Sequence, residues 1–314
     1  MRISVVVPSY RRPLALAACI PALLEQTRPA DEIIVVVRND DQVSRKLLAT
    51  QPGVDEVTVD QPGAVWAMTC GALTSTGDVI CFTDDDARPS PDWLAGIEAA
   101  MLADPHLGAV GGRDIIHEPD GSLRLERLRE DVGIIEPWGR LIGNHHLGTG
   151  PPRAVDVLKG VNSAYRREAL ALPVGLRGAG TQIHFEVAMG IKVVQAGYTL
   201  SYDPALTVDH YPEERRDADK RGAPPRQAVA GHAYNLTASI GLLGTSRLIV
   251  RWLYATAVGD RAMPGIARAA LLAWERDPGW FDRFLGAMSG NTAALLDGLR
   301  GRRPTFTEVA SPPR

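Results

Sequence analysis

Short runs of β-branched residues alternate with helical patterns along the first two thirds of the chain. The runs predict strands at residues 3–7, 32–37, 57–59, 78–82 and 108–113. Apolar positions at helical spacing predict helices at residues 14–26, 43–49, 64–74 and 92–102. This alternation is typical of βαβ units and predicts an α/β fold, with a mixed, mostly parallel Rossmann-like sheet flanked by helices.

Patterning changes along the rest of the chain. Residues 118–155 are rich in Gly, Pro and His, which indicates surface loops or a lid. A helix at 184–196, ended by Gly197, precedes a strand at 198–202. Beyond a charged linker at 213–226, helices are predicted at 227–241, 246–258, 265–275 and 280–288, and the end from residue 301 is expected to fray. We therefore expect two units, a catalytic domain at 1–212 and a C-terminal helical extension at 213–314.

Composition narrows the class of protein. Apolar residues make up 45% and charged residues 23% of the 314 positions, which is ordinary globular usage and excludes a disordered or collagenous chain. The three cysteines form no CxxC pair, so neither a disulfide framework nor a zinc site is indicated. We expect a cytoplasmic protein without a signal peptide or a membrane span, and no nucleic acid among its partners.

The strongest chemical feature is Asp84-Asp85-Asp86, directly after the predicted strand at 78–82. Ligands of open α/β sheets bind outside the carboxyl ends of the strands, where these side chains emerge. Adjacent carboxylates repel each other and need a cation, and Mg²⁺ or Mn²⁺ takes such oxygen ligands together with phosphates. The alternative is a solvated acidic turn that caps the following helix.

Several segments in order along the chain resemble inverting family 2 glycosyltransferases of GT-A fold. They are Val5-Val6-Val7-Pro8-Ser9-Tyr10, residues 23–27 leading into 31–36, residues 76–78 before the aspartates, residues 160–167 and residues 195–198. The resemblance runs from residue 3 to about residue 212. It implies transfer of a sugar from a UDP-, GDP- or dTDP-sugar to an acceptor hydroxyl by a metal-assisted, inverting single displacement.

Carried over by position, the resemblance assigns a nucleotide-sugar and metal site. Pro8 and Tyr10 would lie against the base and ribose, Asp84 against the ribose and sugar, and Asp86 would bind the metal. The family's base-reading aspartate falls on Asp40 or Asp41. The remaining residues assigned to the nucleotide-sugar or the metal are Asp85, Arg12, Arg38 and His210.

The phosphate contacts and the metal shell need further residues. Members of the family often have an arginine before Gly71, where this chain has Met68-Thr69, so Arg11, Arg12 or Arg38 is expected to contact the phosphates instead. His210 would complete the metal shell. The alternative for His210 is a loop histidine paired with Asp209.

A carboxylate or imidazole must accept the proton of the acceptor hydroxyl. Counting back from Gly197, the family's catalytic acid position falls on Glu186, whereas the alternative is an ordinary first-turn glutamate. The acceptor, which is a glycan, a lipid-linked molecule or a small molecule, is assigned to four residues that precede this position: Trp138, His145, Asn162 and His184.

Other functions remain open at this point. A nucleotidyltransferase would also use aspartates and a metal, although the Gly-rich phosphate loop that it needs is missing after the first strand. A non-catalytic sugar-nucleotide or glycan-binding module would keep the same fold.

The C-terminal part carries a different charge. Residues 1–210 contain 19 Lys+Arg against 27 Asp+Glu, a net −8, whereas residues 211–314 contain 15 against 10, a net +5. Arginines such as Arg247, Arg251 and Arg268 alternate with apolar residues in the predicted helices. These helices either pack on the catalytic domain, which is the usual case, or lie peripherally on the inner face of a membrane.

Overall fold

A computed structural model describes residues 1–124, 126–178, 180, 182–213 and 225–309. The strands are β1 (Ile3–Ser9), β2 (Glu32–Arg38), β3 (Asp55–Val59), β4 (Val79–Phe82), β5 (Ala87–Pro89), β6 (Leu107–Ile116), β7 (Ile134–Ile135), β8 (Leu141–Ile142), β9 (Arg153–Ala154), β10 (Ser163–Arg166), β11 (Ala171–Pro173), β12 (Thr199–His210) and β13 (Phe306–Glu308). The α-helices are α1 (Pro13–Leu24), α2 (Gln42–Leu48), α3 (Ala64–Thr74), α4 (Trp93–Ala103), α5 (Phe185–Gln195), α6 (Arg226–Ile240), α7 (Thr245–Ala257), α8 (Ile266–Trp274) and α9 (Trp280–Leu299).

The central sheet is mixed and mostly parallel, as the sequence predicted. Its strand order is β3-β2-β1-β4-β10-β6-β12-β5, and β9 also pairs with β12. Strands β3, β2, β1 and β4 run parallel, β10 lies antiparallel between β4 and β6, and β12 runs parallel to β6. The carboxyl ends of β1, β4, β6 and β12 therefore meet at one edge.

Helices cover both faces of this sheet because successive side chains of each strand point to opposite sides. In β1, Val6 packs into the layer that contains α3 and α5, while Val5 and Val7 pack into the layer of α1 and α4. All three valines are fully buried. The hydrophobic runs of the sequence thus correspond to strands buried on both faces.

The C-terminal helices pack onto the α/β part. A third buried cluster joins Val187 and Ile191 of α5 to Val229 and Leu236 of α6 and to Ala287 of α9. This contact corresponds to the packing alternative for these helices. Within the described residues, no helix is both long enough and apolar enough to cross a bilayer.

Three boundaries differ from the prediction. The expected frayed end contains β13, which pairs antiparallel with β11. Strand β12 extends to His210 rather than ending at residue 202, since it pairs with β6 and then with β5. Helix α9 runs past residue 288 to Leu299. Most of the expected linker, residues 214–224, lies outside the described residues.

The predicted loop stretch at 118–155 contains short ordered elements. A hairpin of β7 and β8 and the strand β9 interrupt it, and residues 145–147 form a 3-10 turn. The stretch is therefore a set of short paired segments, held by the β7–β8 hairpin and by the pairing of β9 with the distant β12, which periodicity does not reveal.

Candidate active site

The pairing of β5 with β12 builds the centre of the site. Strand β4 ends at Phe82, and the three aspartates follow at the carboxyl edge of the sheet. In the β5–β12 ladder, His210 lies opposite Ala87, which directly follows Asp86. The histidine and the aspartates, more than a hundred residues apart in sequence, are thereby brought together.

Asp84, Asp86 and His210 each offer a ligand atom, and these atoms all lie within 4.8 Å of one another. Oδ2 of Asp86 accepts hydrogen bonds from Arg12 at 2.9 Å and from the backbone N–H of Glu213 at 3.0 Å. Its other oxygen, Oδ1, lies 3.5 Å from Nε2 of His210, and within the described part of the chain neither of these buried atoms has a hydrogen-bond partner. Two carboxylates and an imidazole with unsatisfied atoms fit a divalent cation.

Burial and nearby charges shift the pKa values of Asp84, Asp86 and His210. Burial would raise the pKa of Asp86, but the proximity of His210 and Arg12 outweighs it and brings that pKa to about 2. Burial would likewise lower the pKa of His210, whereas the carboxylates of Asp114 and Asp86 raise it to about 9. Desolvation and the neighbouring Asp86 raise the pKa of Asp84. A divalent cation bound here would displace the proton of His210, since only the neutral imidazole is a metal ligand.

Asp85 points away from this group. Its carboxylate is fully buried, accepts a hydrogen bond from Ser9 Oγ at 2.7 Å and pairs with Arg12 Nη2 at 2.6 Å. Both carboxylate oxygens of Asp85 are thus enclosed by protein, and its expected contact with the nucleotide-sugar stays a prediction. Arg12 instead links Asp85 to Asp86, which orients the metal-facing carboxylate.

The ends of β1 and β2 form a second polar group. The guanidinium of Arg38 lies over the ring of Tyr10 at 4.5 Å, and Asp40 forms ion pairs with Arg38 at 3.2 Å and Arg11 at 3.1 Å. Asp41 is only 2% exposed and caps α2 by accepting from Ser44 N at 3.2 Å. Of the two candidate base-reading aspartates, Asp40 is thus the exposed one and Asp41 is structural.

A cavity of about 330 Å³ extends from Asp84 and His210 to Glu186 of α5. Pro8, Asp84, His210, Lys159 and Glu186 are among the residues that line it. A nucleotide-sugar site was predicted for the first two and a metal and a base for His210 and Glu186. The structure brings these four together at one opening.

Glu186 lies in the first turn of α5, where the N-terminal end of the helix dipole favours its negative charge. Desolvation raises the pKa of its carboxyl, while hydrogen bonds from its own backbone N–H and from that of Gly160 act in the opposite direction. A Cβ on Gly160 would lie 3.6 Å from Oε1 of Glu186 and 3.0 Å from the ring of Phe185. The glycine therefore leaves room for the ring of Phe185, the residue directly before Glu186.

Glu186 and Lys159 also line a second cavity of about 220 Å³. Its wall is mainly apolar and includes Val157, Ile183 and Val187. Two of the expected acceptor residues, His145 and His184, border this cavity. The two cavities thus meet at Glu186.

The other two expected acceptor residues lie elsewhere. Asn162 is 1% exposed, and its amide is bonded to the indole of Trp93 at 2.8 Å and to the carbonyl of Leu206 at 2.8 Å. These bonds hold its amide inside the protein, and its assignment to the acceptor stays a prediction. Trp138 lies between β7 and β8, is 43% exposed and borders neither cavity.

Sequence reasoning missed Lys159 and Asp114. Asp114 on β6 is fully buried, forms an ion pair with Lys159 and lies 3.5 Å from Nδ1 of His210. Lys159 directly precedes the glycine that contacts Glu186. The only sequence signal was the position of Lys159 within the segment at 158–167.

Comparisons with known proteins agree with this geometry. The sequence model described as glycosyl transferase family 2 matches residues 4–171. A glucosyl-dolichyl phosphate glucuronosyltransferase of Haloferax volcanii is 30% identical over 226 residues, which cover 67% of this chain and 69% of the relative. The chain belongs to glycosyltransferase family 2.

Solved structures support the fold. A mannosyltransferase of Pyrobaculum calidifontis, in complex with GDP-Man and Mn²⁺, aligns with a TM-score of 0.53 and 19% identity over 96% of this chain and 88% of that chain. TarS 1-349 of S. aureus, in complex with UDP-GlcNAc, aligns with a TM-score of 0.54 and 13% identity over 99% and 95%. The fold is therefore GT-A, as expected. The chain is a glycosyltransferase, and neither the nucleotidyltransferase nor the binding-module alternative is favoured.

Proposed function

We propose that this chain moves a sugar from a nucleotide diphospho-sugar to an acceptor hydroxyl with inversion at the anomeric carbon. The observation that carries the proposal is the position of Glu186, which borders both the cavity with Asp84 and His210 and a second cavity beside it. A donor in the first cavity and an acceptor in the second would each reach this carboxylate. A single displacement needs this arrangement, since the base takes the proton of the attacking hydroxyl.

The donor site combines two parts. Tyr10, Arg38 and Asp40 would contact the base and ribose of a UDP-, GDP- or dTDP-sugar, because an aromatic ring and an exposed carboxylate lie together there. Arg12 holds Asp86 in place. A divalent cation, Mn²⁺ or Mg²⁺, held by Asp84, Asp86 and His210 would neutralise charge on the leaving diphosphate.

The acceptor side has fewer polar groups. Glu186 would accept the proton of the acceptor hydroxyl, while His145 and His184 would border the acceptor body. The name of the Haloferax volcanii relative contains glucosyl-dolichyl phosphate, a lipid-linked sugar. By analogy, a lipid-linked acceptor is our first candidate, ahead of a free glycan or a small molecule, and it would bring the enzyme to a membrane surface.

Nucleotide release tests the proposal. The purified protein is incubated with UDP-, GDP- and dTDP-sugars, with Mn²⁺, Mg²⁺ or neither, and with lipid-linked and soluble acceptors. We expect release that needs both a metal and an acceptor, together with a product of inverted anomeric configuration by NMR. A product with the donor's anomeric configuration contradicts the displacement, and tight donor binding without turnover across the acceptors supports a binding module.

Glu186→Gln tests the base. The amide keeps the size of the side chain but does not accept a proton at neutral pH, so donor binding is retained and transfer falls by about 10²-fold or more. Glu168→Gln is the matched control, since Glu168 bonds Tyr198 and borders neither cavity. Undiminished transfer by Glu186→Gln rejects the assignment.

A further inference from the structure

Helix α8 exposes only apolar side chains. Among its nine residues, those exposed to solvent are Ile266, Ala267, Ala270, Leu271 and Trp274. At 3.6 residues per turn, these positions share one face about 140° wide. The opposite face carries Ala269 and Leu272, which are buried. The helix is thus anchored on one side and apolar on the side that faces solvent.

The exposure on this face is large. Trp274 is 86% exposed, Ile266 59% and Leu271 43%. Phe281, at the start of α9, is 54% exposed and contacts Trp280 with the ring centroids 5.4 Å apart. Two aromatic residues therefore stand at the corner where α8 leads into α9. An apolar face of this kind is uncommon on a protein surface that stays in water.

We propose that α8 binds a bilayer that contains anionic lipids, inserting the face formed by residues 266, 267, 270, 271 and 274 into the boundary between headgroups and acyl chains. Short amphipathic helices with Trp and Leu on one face lie in this boundary. Tryptophan is enriched there because its ring is apolar while its indole N–H bonds to the polar layer. Arg268 flanks the face, and its positive charge favours an anionic surface.

The dimensions of α8 argue against a second copy of the chain as the occupant. A stable interface buries about 800 Å² on each partner and carries about one hydrogen bond per 100–200 Å². A helix of nine residues is roughly 14 Å long. Its exposed face offers one polar side-chain atom, the indole nitrogen of Trp274. Insertion into a bilayer requires neither a large complementary area nor hydrogen bonds across an interface.

Vesicle binding tests the inference without any sugar transfer, so its failure is distinguishable from failure of the proposed function. The full chain is sedimented with vesicles of phosphatidylcholine alone and of phosphatidylcholine mixed with phosphatidylglycerol. We expect the wild type to bind the mixed vesicles more strongly. Leu271→Asp and Trp274→Ser should each weaken binding by about tenfold or more, since each loses apolar burial in the bilayer.

Leu102→Asp is the matched control. Leu102 is 69% exposed on α4, outside α8, so this variant should bind vesicles like the wild type. Circular dichroism and the thermal midpoint verify that each variant is folded. The inference is overturned if the folded wild type does not sediment with either kind of vesicle, or if all three variants bind equally. A concentration-dependent dimer that Leu271→Asp abolishes in analytical ultracentrifugation also overturns it, because the face then binds a second copy.

Discussion

Arg12 places its Nη2 atom 2.6 Å from Oδ1 of Asp85, a carboxylate that has no contact with solvent. The same guanidinium donates through Nη1 to Asp86 at 2.9 Å. One side chain therefore compensates a buried charge and orients the carboxylate that faces His210. The contact with Asp85 bears on the stability of the fold, and the contact with Asp86 bears on the affinity for a metal.

Arg12→Met removes the cation and leaves the carboxylate of Asp85 buried without it. We expect the free energy of unfolding to fall by about 3 kcal/mol, as measured by urea denaturation followed by circular dichroism. Asp85→Asn combined with Arg12→Met should recover part of this loss, because the charge of the fully buried Asp85 is then removed together with its partner. Equal stability of Arg12→Met and the wild type would show that the pair contributes nothing.

Asp86→Asn and His210→Asn each remove one proposed metal ligand. Loss of an outer-shell partner of a ligand typically weakens binding 10- to 100-fold, so loss of the ligand itself should weaken Mn²⁺ binding by at least about tenfold in calorimetry. The Mn²⁺-induced rise in the thermal midpoint should shrink in parallel. Asp209→Asn is the control, since Asp209 neighbours His210 but pairs with His117 at 2.7 Å. Equal Mn²⁺ affinity in all three variants would exclude this group as the metal site.

Substitution of the adjacent aspartates Asp40 and Asp41 should affect two different properties, the KM for the donor and the stability of the fold. Asp41→Ala loses the cap of α2 and should lower the free energy of unfolding by about 1 kcal/mol. Asp40→Asn lies at the exposed group around Tyr10, so it should raise the KM for the donor and leave stability unchanged. Steady-state kinetics and denaturation on the two variants check both expectations, and a donor KM that changes only in Asp41→Ala would contradict them.

The buried His145 should make stability depend on pH. Burial lowers its pKa from 6.5 to about 4, and its Nε2 lies 2.8 Å from the carbonyl of Val157. Between these two values the unfolded chain binds the additional proton, so stability is lost as the pH falls from 6.5 towards 4. The full loss from this group is about 3 kcal/mol.

His145→Gln isolates this contribution. Glutamine keeps an N–H donor for Val157 but does not titrate, so the fall in the free energy of unfolding between pH 7 and pH 4.5 should be smaller than in the wild type. Urea denaturation at several pH values measures the difference. Parallel pH profiles for the two proteins would mean that His145 does not couple folding to protons.

Much of the α/β fold follows from local patterns. Helix α3 begins and ends where its periodicity predicts, because its apolar face packs on β1 and β2. Helix α9 continues past the predicted end at residue 288 and through Gly290 to Leu299. In the structure a Cβ on Gly290 would lie 2.1 Å from the carbonyl oxygen of Ala230, so the glycine allows α6 to pass close by. A helix-breaking residue thus marks a tight helix crossing, which depends on tertiary structure.

The candidate site, too, could be predicted only where its residues lie in recognisable sequence segments. The aspartates and Glu186 were found because each lies in a segment that resembles the family. Asp114 and Lys159 were missed because they come from β6 and from the loop before β10 and meet only through the sheet order. The prediction that Asn162 contacts the acceptor did not include the partners of its side chain, which are Trp93 and Leu206.

Because Glu186 borders both cavities, a donor bound without an acceptor would lie near this carboxylate together with water. A carboxylate placed to take a proton from a hydroxyl can take one from water, which would spend the donor in futile hydrolysis. The apolar wall formed by Val157, Ile183 and Val187 offers water few hydrogen bonds at that border. If Glu186 is the proposed base, the low polarity of this cavity would limit that hydrolysis until an acceptor with its own apolar body occupies it.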